Sequence, residues 1–406
     1  MKKILFVINT MGTAGAEKAL IELLKKTDRT KYELTLYVLT NQGELISLVP
    51  ENVKLLNENI DTTSVLEKKG RANLTKTCVK SLFDKCQFIT KFPYMFRALT
   101  GMIKKGRIMP DKLLWRVLSD SAYKDDAVYD LAVAYIEGGS TYYVADHVKA
   151  AKKAAFVHVD YEKAGYTRQL DKDCYLKYDR IFTVSDEVRE SFLKVYPEYS
   201  DNTIVFHNMI DPVGIREKAL EGKGFDDGYD GVRILSVGRL TAQKSFEISV
   251  DAMEILKKSG IKARWYVLGE GDRRPYLESY IKKKGLENDF ILAGIKDNPY
   301  PYMKQADIYV HCSSFEGKSI AVQEAGILGR PRLLSDCSGN REQITDGVDG
   351  ILTDLDPESI SEKIKMIIND DSLRERISLN AAANNYDGGT PEQLYDLIKD
   401  TEVLNE

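Results

Sequence analysis

Ser314-Phe315-Glu316-Gly317-Lys318-Ser319-Ile320-Ala321-Val322-Gln323-Glu324-Ala325 holds a glycine-bearing turn and a helix start between two glutamates. A strand-like run at 306–311 precedes it, and Gly329 and Pro331 stop the helix after it. The order is strand, loop, helix, with Gly317 and the amides after it expected at the helix N-terminus. Such amides are unpaired and carry the positive end of the helix dipole, so they suit an anion. Eight helical steps from Glu316 to Glu324 would span about 12 Å, the scale of a nucleotide-sugar. On that reading Glu324 meets a ribose diol and Glu316 lies near the sugar. The competing reading is a surface turn with two solvated glutamates.

The same alternation of strand, loop and helix runs outward in both directions. Residues 3–8 read as a strand, 9–15 as a loop, and 17–26 as a helix with Leu20, Ile21 and Leu24 on one face. Further strands fit at 32–39, 130–135, 154–157, 180–184 and 203–206. After a glycine- and aspartate-rich segment at 221–231, the best linker candidate, a second series begins. Its strands fit at 232–237, 264–268, 290–292, 307–311 and 332–335, with a helix over 249–258. The tail from 358 reads as helical, and 391–404 as a last helix. The fold class is therefore α/β, two Rossmann-like doubly wound domains with a cleft expected between them. The expected boundaries are 1–210, 211–385 and a C-terminal helix in 386–406 that packs back on the first domain.

A chain of 406 residues exceeds one ordinary core, which agrees with two domains. No apolar run approaches 20 residues, so no spanning helix is expected. The start, Met1-Lys2-Lys3-Ile4-Leu5-Phe6-Val7-Ile8, runs straight into a glycine loop and reads as a buried first strand rather than a signal peptide. Five scattered cysteines without zinc-type spacing fit a reducing cytoplasm.

One region breaks the alternation. Between 68 and 116 thirteen basic residues face only Asp84 and Asp111. They include Lys68, Lys76, Lys80, Lys85, Lys91, Arg97, Lys104, Lys105, Arg107, Lys112 and Arg116, with Phe83, Phe88, Phe92, Tyr94, Phe96 and Trp115 interleaved. Such a stretch suits an anionic membrane surface or another anionic partner; the alternative is a solvated insertion.

Several loops at strand ends carry chemistry. Gly12 to Lys18 joins the first strand to the first helix, with Gly12 and Gly15 as an acceptor- or phosphate-binding loop or simply a tight turn. Gly238, Arg239 and Lys244 hold the same place in the second half. There Arg239 offers a two-pronged fork and Lys244 a point charge, a suitable pair for a diphosphate. Gly269 and Gly271 follow the next strand and could bring backbone close to a nucleotide. The 293–298 loop, with Ile295, could read a base through main-chain groups. His158 follows the 154–157 strand. His207 and His311 read as strand-end or core residues. No strand end carries an Asp-x-Asp pair, so no metal is expected.

In this order the pieces resemble family 4 of the retaining glycosyltransferases, enzymes of the GT-B fold. The likeness covers most of the chain and is best over 232–352. Glu316 and Glu324 match the family's paired glutamates, Gly238, Arg239 and Lys244 its diphosphate loop, and Gly269 and Gly271 its mid-domain glycines. Segments 338–342 and 346–350 match the loop and turn after the second glutamate's helix. Gly15-Ala16-Glu17-Lys18, Ser185 and Asn208 to Asp211 match landmarks of the first half, and His158 falls where many members have an active-site histidine. Ala14 stands where a second glycine is common, Lys318 and Ser319 where aromatic or small residues are. The resemblance implies transfer of a sugar with retention from a nucleoside-diphosphate sugar, a UDP-sugar being expected, to a glycan or lipid-linked acceptor. It implies no metal, no other cofactor and no nucleic-acid partner. Its donor site would comprise Gly238, Arg239, Lys244, Gly269, Gly271, Ile295, Glu316, Gly317, Lys318, Ser319, Ile320 and Glu324. Glu316, His158, Arg239 and Lys244 would serve the reaction, in the cytoplasm or at the inner face of its membrane. The alternatives are a sugar-nucleotide epimerase of the same fold and a non-catalytic binding subunit.

Overall fold

In a computed structural model the chain forms two units, Met1–Met209 with Gly388–Glu406, and Ile210–Asp387. The residues described are 1–57, 59–65, 67–83, 87–104, 110–386 and 388–399. Lys85, Lys105 and Arg107 lie outside them, as do the side chains of Lys68, Phe88, Lys91, Phe92 and Lys104.

The first unit is built on a seven-stranded parallel sheet of order β3-β2-β1-β4-β5-β6-β7. Its strands are β1 Lys2–Ile8, β2 Tyr32–Val38, β3 Lys54–Leu55, β4 Val128–Ala134, β5 Lys149–Val157, β6 Arg180–Thr183 and β7 Thr203–Val205. A central strand covered on both faces must be apolar on both, which is why residues 4–8 form an unbroken apolar run. Leu5 and Val7 enter one core, and Ile4, Phe6 and Ile8 enter the other. Phe6 pairs in register with Leu36 and with Val133.

Between β3 and β4 lie three helices, Lys68–Phe83, Gln87–Lys104 and Pro110–Ser121. The basic and aromatic residues of this stretch are divided here between surface and core. Val79, Phe83, Phe96, Ile103, Lys76, Lys80 and Arg97 are exposed. Tyr94 and Arg116 are buried. The Arg116 guanidinium binds Asp146 at 2.6 Å and the Asp171 carbonyl at 2.6 Å, and lies over the Tyr142 ring. Tyr94 donates to the Leu170 carbonyl at 2.9 Å. These two residues hold the insertion to the domain.

The chain's last described turn returns to the first unit. A helix Pro391–Tyr395 and a 3₁₀ turn Asp396–Ile398 replace the single helix expected over 391–404; residues from 400 lie outside those described. Leu394, Tyr395 and Ile398 join the core beside Ile4 and Phe6. The Tyr395 ring stacks on Tyr32, and its hydroxyl meets that of Thr27 at 2.7 Å.

The second unit has a six-stranded parallel sheet of order β10-β9-β8-β11-β12-β13. Its strands are β8 Val232–Val237, β9 Ala263–Leu268, β10 Phe290–Gly294, β11 Ile308–His311, β12 Arg332–Ser335 and β13 Ile351–Thr353. The segment expected as a linker lies inside this unit as a strap. Gln305 accepts from the Phe225 amide at 2.8 Å and donates to the Lys223 carbonyl at 2.8 Å. Asp227 accepts from Arg233, Arg264 and the Tyr266 hydroxyl. Glycine and aspartate supply its turns; the two arginines and Tyr266 fix it to the sheet.

Candidate functional site

Strand order in the second sheet reverses between β8 and β11, so the loops after these strands diverge and leave a crevice at their carboxyl ends. The first loop carries residues 238–245, the second 312–319. Gly238 leaves its face open to the Lys244 stem, whose Cε would lie 3.4 Å from a Cβ there. A 3₁₀ turn Ala242–Lys244 ends on Ser245 at φ +46°, a strained conformation for a residue with a side chain. The turn brings Lys244 over the end of β11.

There Lys244 Nζ lies 2.6 Å from Glu316 Oε1 and 3.1 Å from His311 Nε2. His311 Nε2 approaches Glu316 Oε1 at 3.3 Å, and its Nδ1 faces the Tyr309 hydroxyl at 3.3 Å. Both members of the ion pair are largely covered, with side chains 13% and 9% exposed. Burial raises the Glu316 pKa, but the Lys244 ammonium outweighs it and holds the carboxyl well below its usual range. Burial, then Lys244, press the His311 ring towards neutrality. Burial, with Glu324 and Glu316 nearby, pushes the Tyr309 phenol far above its usual range.

The Glu316 loop is braced from two sides. Gln243 donates to the Phe315 carbonyl at 2.8 Å, and the Glu316 amide donates to the Ser338 carbonyl at 3.0 Å. A Cβ on Gly339, at φ +81°, would stand 1.8 Å from the Gly317 carbonyl oxygen, so only glycine lets the two loops meet. The helix begins later than expected, as Ile320–Ile327 with Ser319 at its cap position. Its first-turn amides are therefore those of 320–322, and Gly317 and Lys318 belong to the loop. Glu324, on this helix, is 2% exposed and accepts from the Tyr300 hydroxyl at 2.9 Å. Both glutamates are buried, so they are not the solvated pair of a surface turn.

The remaining expected residues fall into two groups. Arg239 is exposed on the first loop. Gly269 and Gly271 follow β9, and the space beside them is filled by the β8 loop. A Cβ would meet the Gly238 oxygen at 2.0 Å in one case and the Leu240 oxygen at 2.2 Å in the other. They let neighbouring loops close-pack. Ile295 follows β10, where the Gly294 carbonyl accepts from the Gly269 amide at 2.9 Å. Gly12, Gly15 and His158 belong to the first unit. Its own reversal lies between β1 and β4, where Asn9 accepts from the Ser140 amide at 2.7 Å and donates to the Glu137 carbonyl at 3.1 Å. The His158 amide donates to Glu137 at 2.9 Å, and burial lowers the imidazole pKa to about 4, so the ring is neutral. His158 Nε2 is buried and has no partner among the described residues.

His311, Tyr300 and Tyr309 are not among the site residues expected from the sequence. The two-residue spacing of Tyr309 and His311 was the available signal, because it puts both on one face of β11 at its carboxyl end.

Residues 228–384 match the family described as "Glycosyl transferases group 1". Over 203 residues the chain is 32% identical to the N-acetylgalactosamine-N,N'-diacetylbacillosaminyl-diphospho-undecaprenol 4-alpha-N-acetylgalactosaminyltransferase of Campylobacter jejuni, covering 50% of this chain and 54% of that protein. It is 30% identical to the alpha-D-kanosaminyltransferase of Streptomyces kanamyceticus over 37% of this chain and 39% of that one. The chain thus spans about half the length, or less, of these relatives. Among solved structures, Anabaena HepE in complex with UDP-glucose superposes with a TM-score of 0.67 at 16% identity, over 98% of each chain. At that identity the likeness is one of fold: two Rossmann-like units of the GT-B class.

Proposed function

We propose that this chain is a retaining, metal-independent glycosyltransferase that moves a sugar from a nucleoside-diphosphate sugar, most simply a UDP-sugar, to a glycan or lipid-linked acceptor. The observation that carries the reading is the convergence of Lys244, Glu316 and Glu324 at the crevice of the second sheet. An ammonium and a covered carboxylate there suit a diphosphate beside a ribose. The family match over 228–384 and the UDP-glucose bound by the HepE neighbour support the same ligand class.

In this reading Glu324 takes the ribose hydroxyls, and Lys244, Arg239 and the amides of Gly317, Lys318, Ser319 and Ile320 face the diphosphate. Gly238, Gly269 and Gly271 shape the loops around it, and Ile295 lies on the base side. The bond from the anomeric carbon to the β-phosphate oxygen breaks, and the acceptor hydroxyl attacks from the same face. Its proton passes to the departing phosphate oxygen. The largest catalytic contribution is then electrostatic, positive charge already in place where the leaving group becomes more negative. Glu316, already bound to Lys244, orients the lysine and borders the sugar. His158, being neutral, serves the sugar as a hydrogen-bonding group. Gly12 and Gly15 line the acceptor side.

The test is incubation with a panel of nucleotide-sugars and lipid-linked or glycan acceptors in excess EDTA. Release of free nucleoside diphosphate is expected, with a product of unchanged anomeric configuration by proton NMR. An inverted product, a requirement for added divalent ion, or an epimerised donor with no nucleotide released would each sink the corresponding part of the proposal.

We further propose that the 68–116 insertion places the enzyme at the anionic inner face of a membrane. Val79, Phe83, Phe96 and Ile103 are exposed apolar residues beside the exposed cations Lys76, Lys80 and Arg97. Each cation near such a surface contributes about 1 kcal/mol, screened beyond about 8 Å at physiological salt. Binding to vesicles of phosphatidylserine is expected to exceed binding to neutral vesicles and to fall as salt rises. Changing Lys76, Lys80 and Arg97 to glutamate should release the protein while donor hydrolysis persists. Equal sedimentation with both vesicle types would leave the insertion as a solvated face.

A further inference from the structure

We infer that His311 is a positioning residue for Lys244: its ring takes one N–H of the ammonium, so that the lysine presents its last N–H to the donor diphosphate. This rests on the transferase reading of the site. An ammonium has three donors and no acceptor. One goes to Glu316 Oε1 at 2.6 Å and a second to His311 Nε2 at 3.1 Å. A single donor remains for a ligand.

The contact also fixes the tautomer. Lys244 cannot accept, so Nε2 is the unprotonated nitrogen and the ring proton sits on Nδ1, which faces the Tyr309 hydroxyl at 3.3 Å. The 3.3 Å approach of Nε2 to Glu316 is then two acceptors sharing one ammonium rather than a hydrogen bond. The titratable and charged groups facing the ring, among the described residues, are Lys244 from the β8 loop, Glu316 from the β11 loop and Tyr309 on its own strand. Burial and Lys244 both favour the neutral ring that this geometry requires.

A wholly apolar residue would be the simpler occupant of this face, which packs with Leu235, Val322 and Leu334. What the imidazole adds is an acceptor at the tip of a long, flexible side chain. Lysine otherwise loses much rotamer freedom when a ligand orders it. Held at two points before the donor arrives, it has little left to lose.

The test compares His311→Leu and His311→Gln in the full chain. A glutamine amide oxygen can reach the place of Nε2; leucine cannot accept. We expect His311→Leu to lower kcat about tenfold or more with a smaller change in donor KM, and His311→Gln to recover most of that loss. The wild-type rate should also fall in acid, on a limb that lies below the ordinary histidine value of about 6.5 because burial and Lys244 lower the pKa of this ring, and a protonated ring repels Lys244. His311→Gln should lack that acid limb. Full activity in His311→Leu, or a glutamine variant as slow as the leucine one, overturns the inference. If His311→Leu does not fold, the pH profile of His311→Gln decides alone. If the wild type releases no nucleotide from any donor, the transferase reading itself has failed. The inference is then decided by calorimetry with UDP: loss of affinity in leucine but not glutamine supports it, and equal affinities overturn it.

Discussion

Lys244→Met is expected to lower kcat by about 10²–10³-fold, the scale for removing one preorganised group that stabilises developing charge. The same change has a second effect that must be separated from the first. Lys244 and Glu316 are 2.6 Å apart and mostly covered, so removing the cation strands a carboxylate whose pKa is held low. Breaking such a buried pair costs about 3–5 kcal/mol. The single variant should therefore melt earlier as well as turn over slowly. Adding Glu316→Gln replaces the stranded charge by a neutral amide that His311 can accept from. The double variant should regain much of the lost melting temperature and none of the lost rate. Melting followed by circular dichroism and initial rates of nucleotide release make the comparison. A Lys244→Met enzyme within threefold of wild-type kcat would take this lysine out of the mechanism.

Glu324→Gln should weaken UDP binding by one to two decades. The substitution keeps the shape of the side chain and an oxygen for the Tyr300 hydroxyl, which now donates at 2.9 Å, but removes the charge. A hydrogen bond to a charged acceptor contributes about 1.5–3 kcal/mol, and each 1.4 kcal/mol is tenfold in affinity. The loss should appear for UDP as well as for the intact donor, because the ribose is common to both. Titration calorimetry with each ligand measures it. Equal UDP affinity in the variant and the wild type would move the ribose elsewhere, while a loss confined to the intact donor would place Glu324 on the sugar.

Much of this site was legible because parallel α/β folds put ligands where loops leave the carboxyl ends of strands. Apolar runs with glycine after them located β1, β8 and β11, and with them the loops carrying Lys244 and Glu316. What the sequence withheld was pairing across distance. Nothing near His311 shows that Lys244, far earlier in the chain, will reach it, so a lone strand-end histidine read as core. Tyr300 was hidden for the same reason. The helix starts at Ile320, three residues after the glycine, because glycine marks a turn without saying where the first helical residue stands. The 221–231 strap misled in the opposite direction. Its glycines and aspartates have the composition of a linker, and its attachment depends on Arg233, Arg264 and Tyr266 downstream. Tyr94 and Arg116 have the composition of a surface patch, but their partners, Asp146, Asp171 and Leu170, lie outside their own segment.

The return of residues 388–399 to the first unit bears on how the protein is made. Leu394, Tyr395 and Ile398 are core residues of a domain whose strands, β1 to β7, all precede the second unit in the chain. A ribosome delivers β1 to β7 early, yet the apolar surface that Tyr395 covers stays open until the whole of the second unit has been translated. Nascent domains usually close in the order in which they emerge. Here the first to emerge is the last to be sealed. During that interval its exposed surface is a natural place for a chaperone, and a ribosome that stops short of residue 390 releases an unfinished first domain beside an otherwise complete second one.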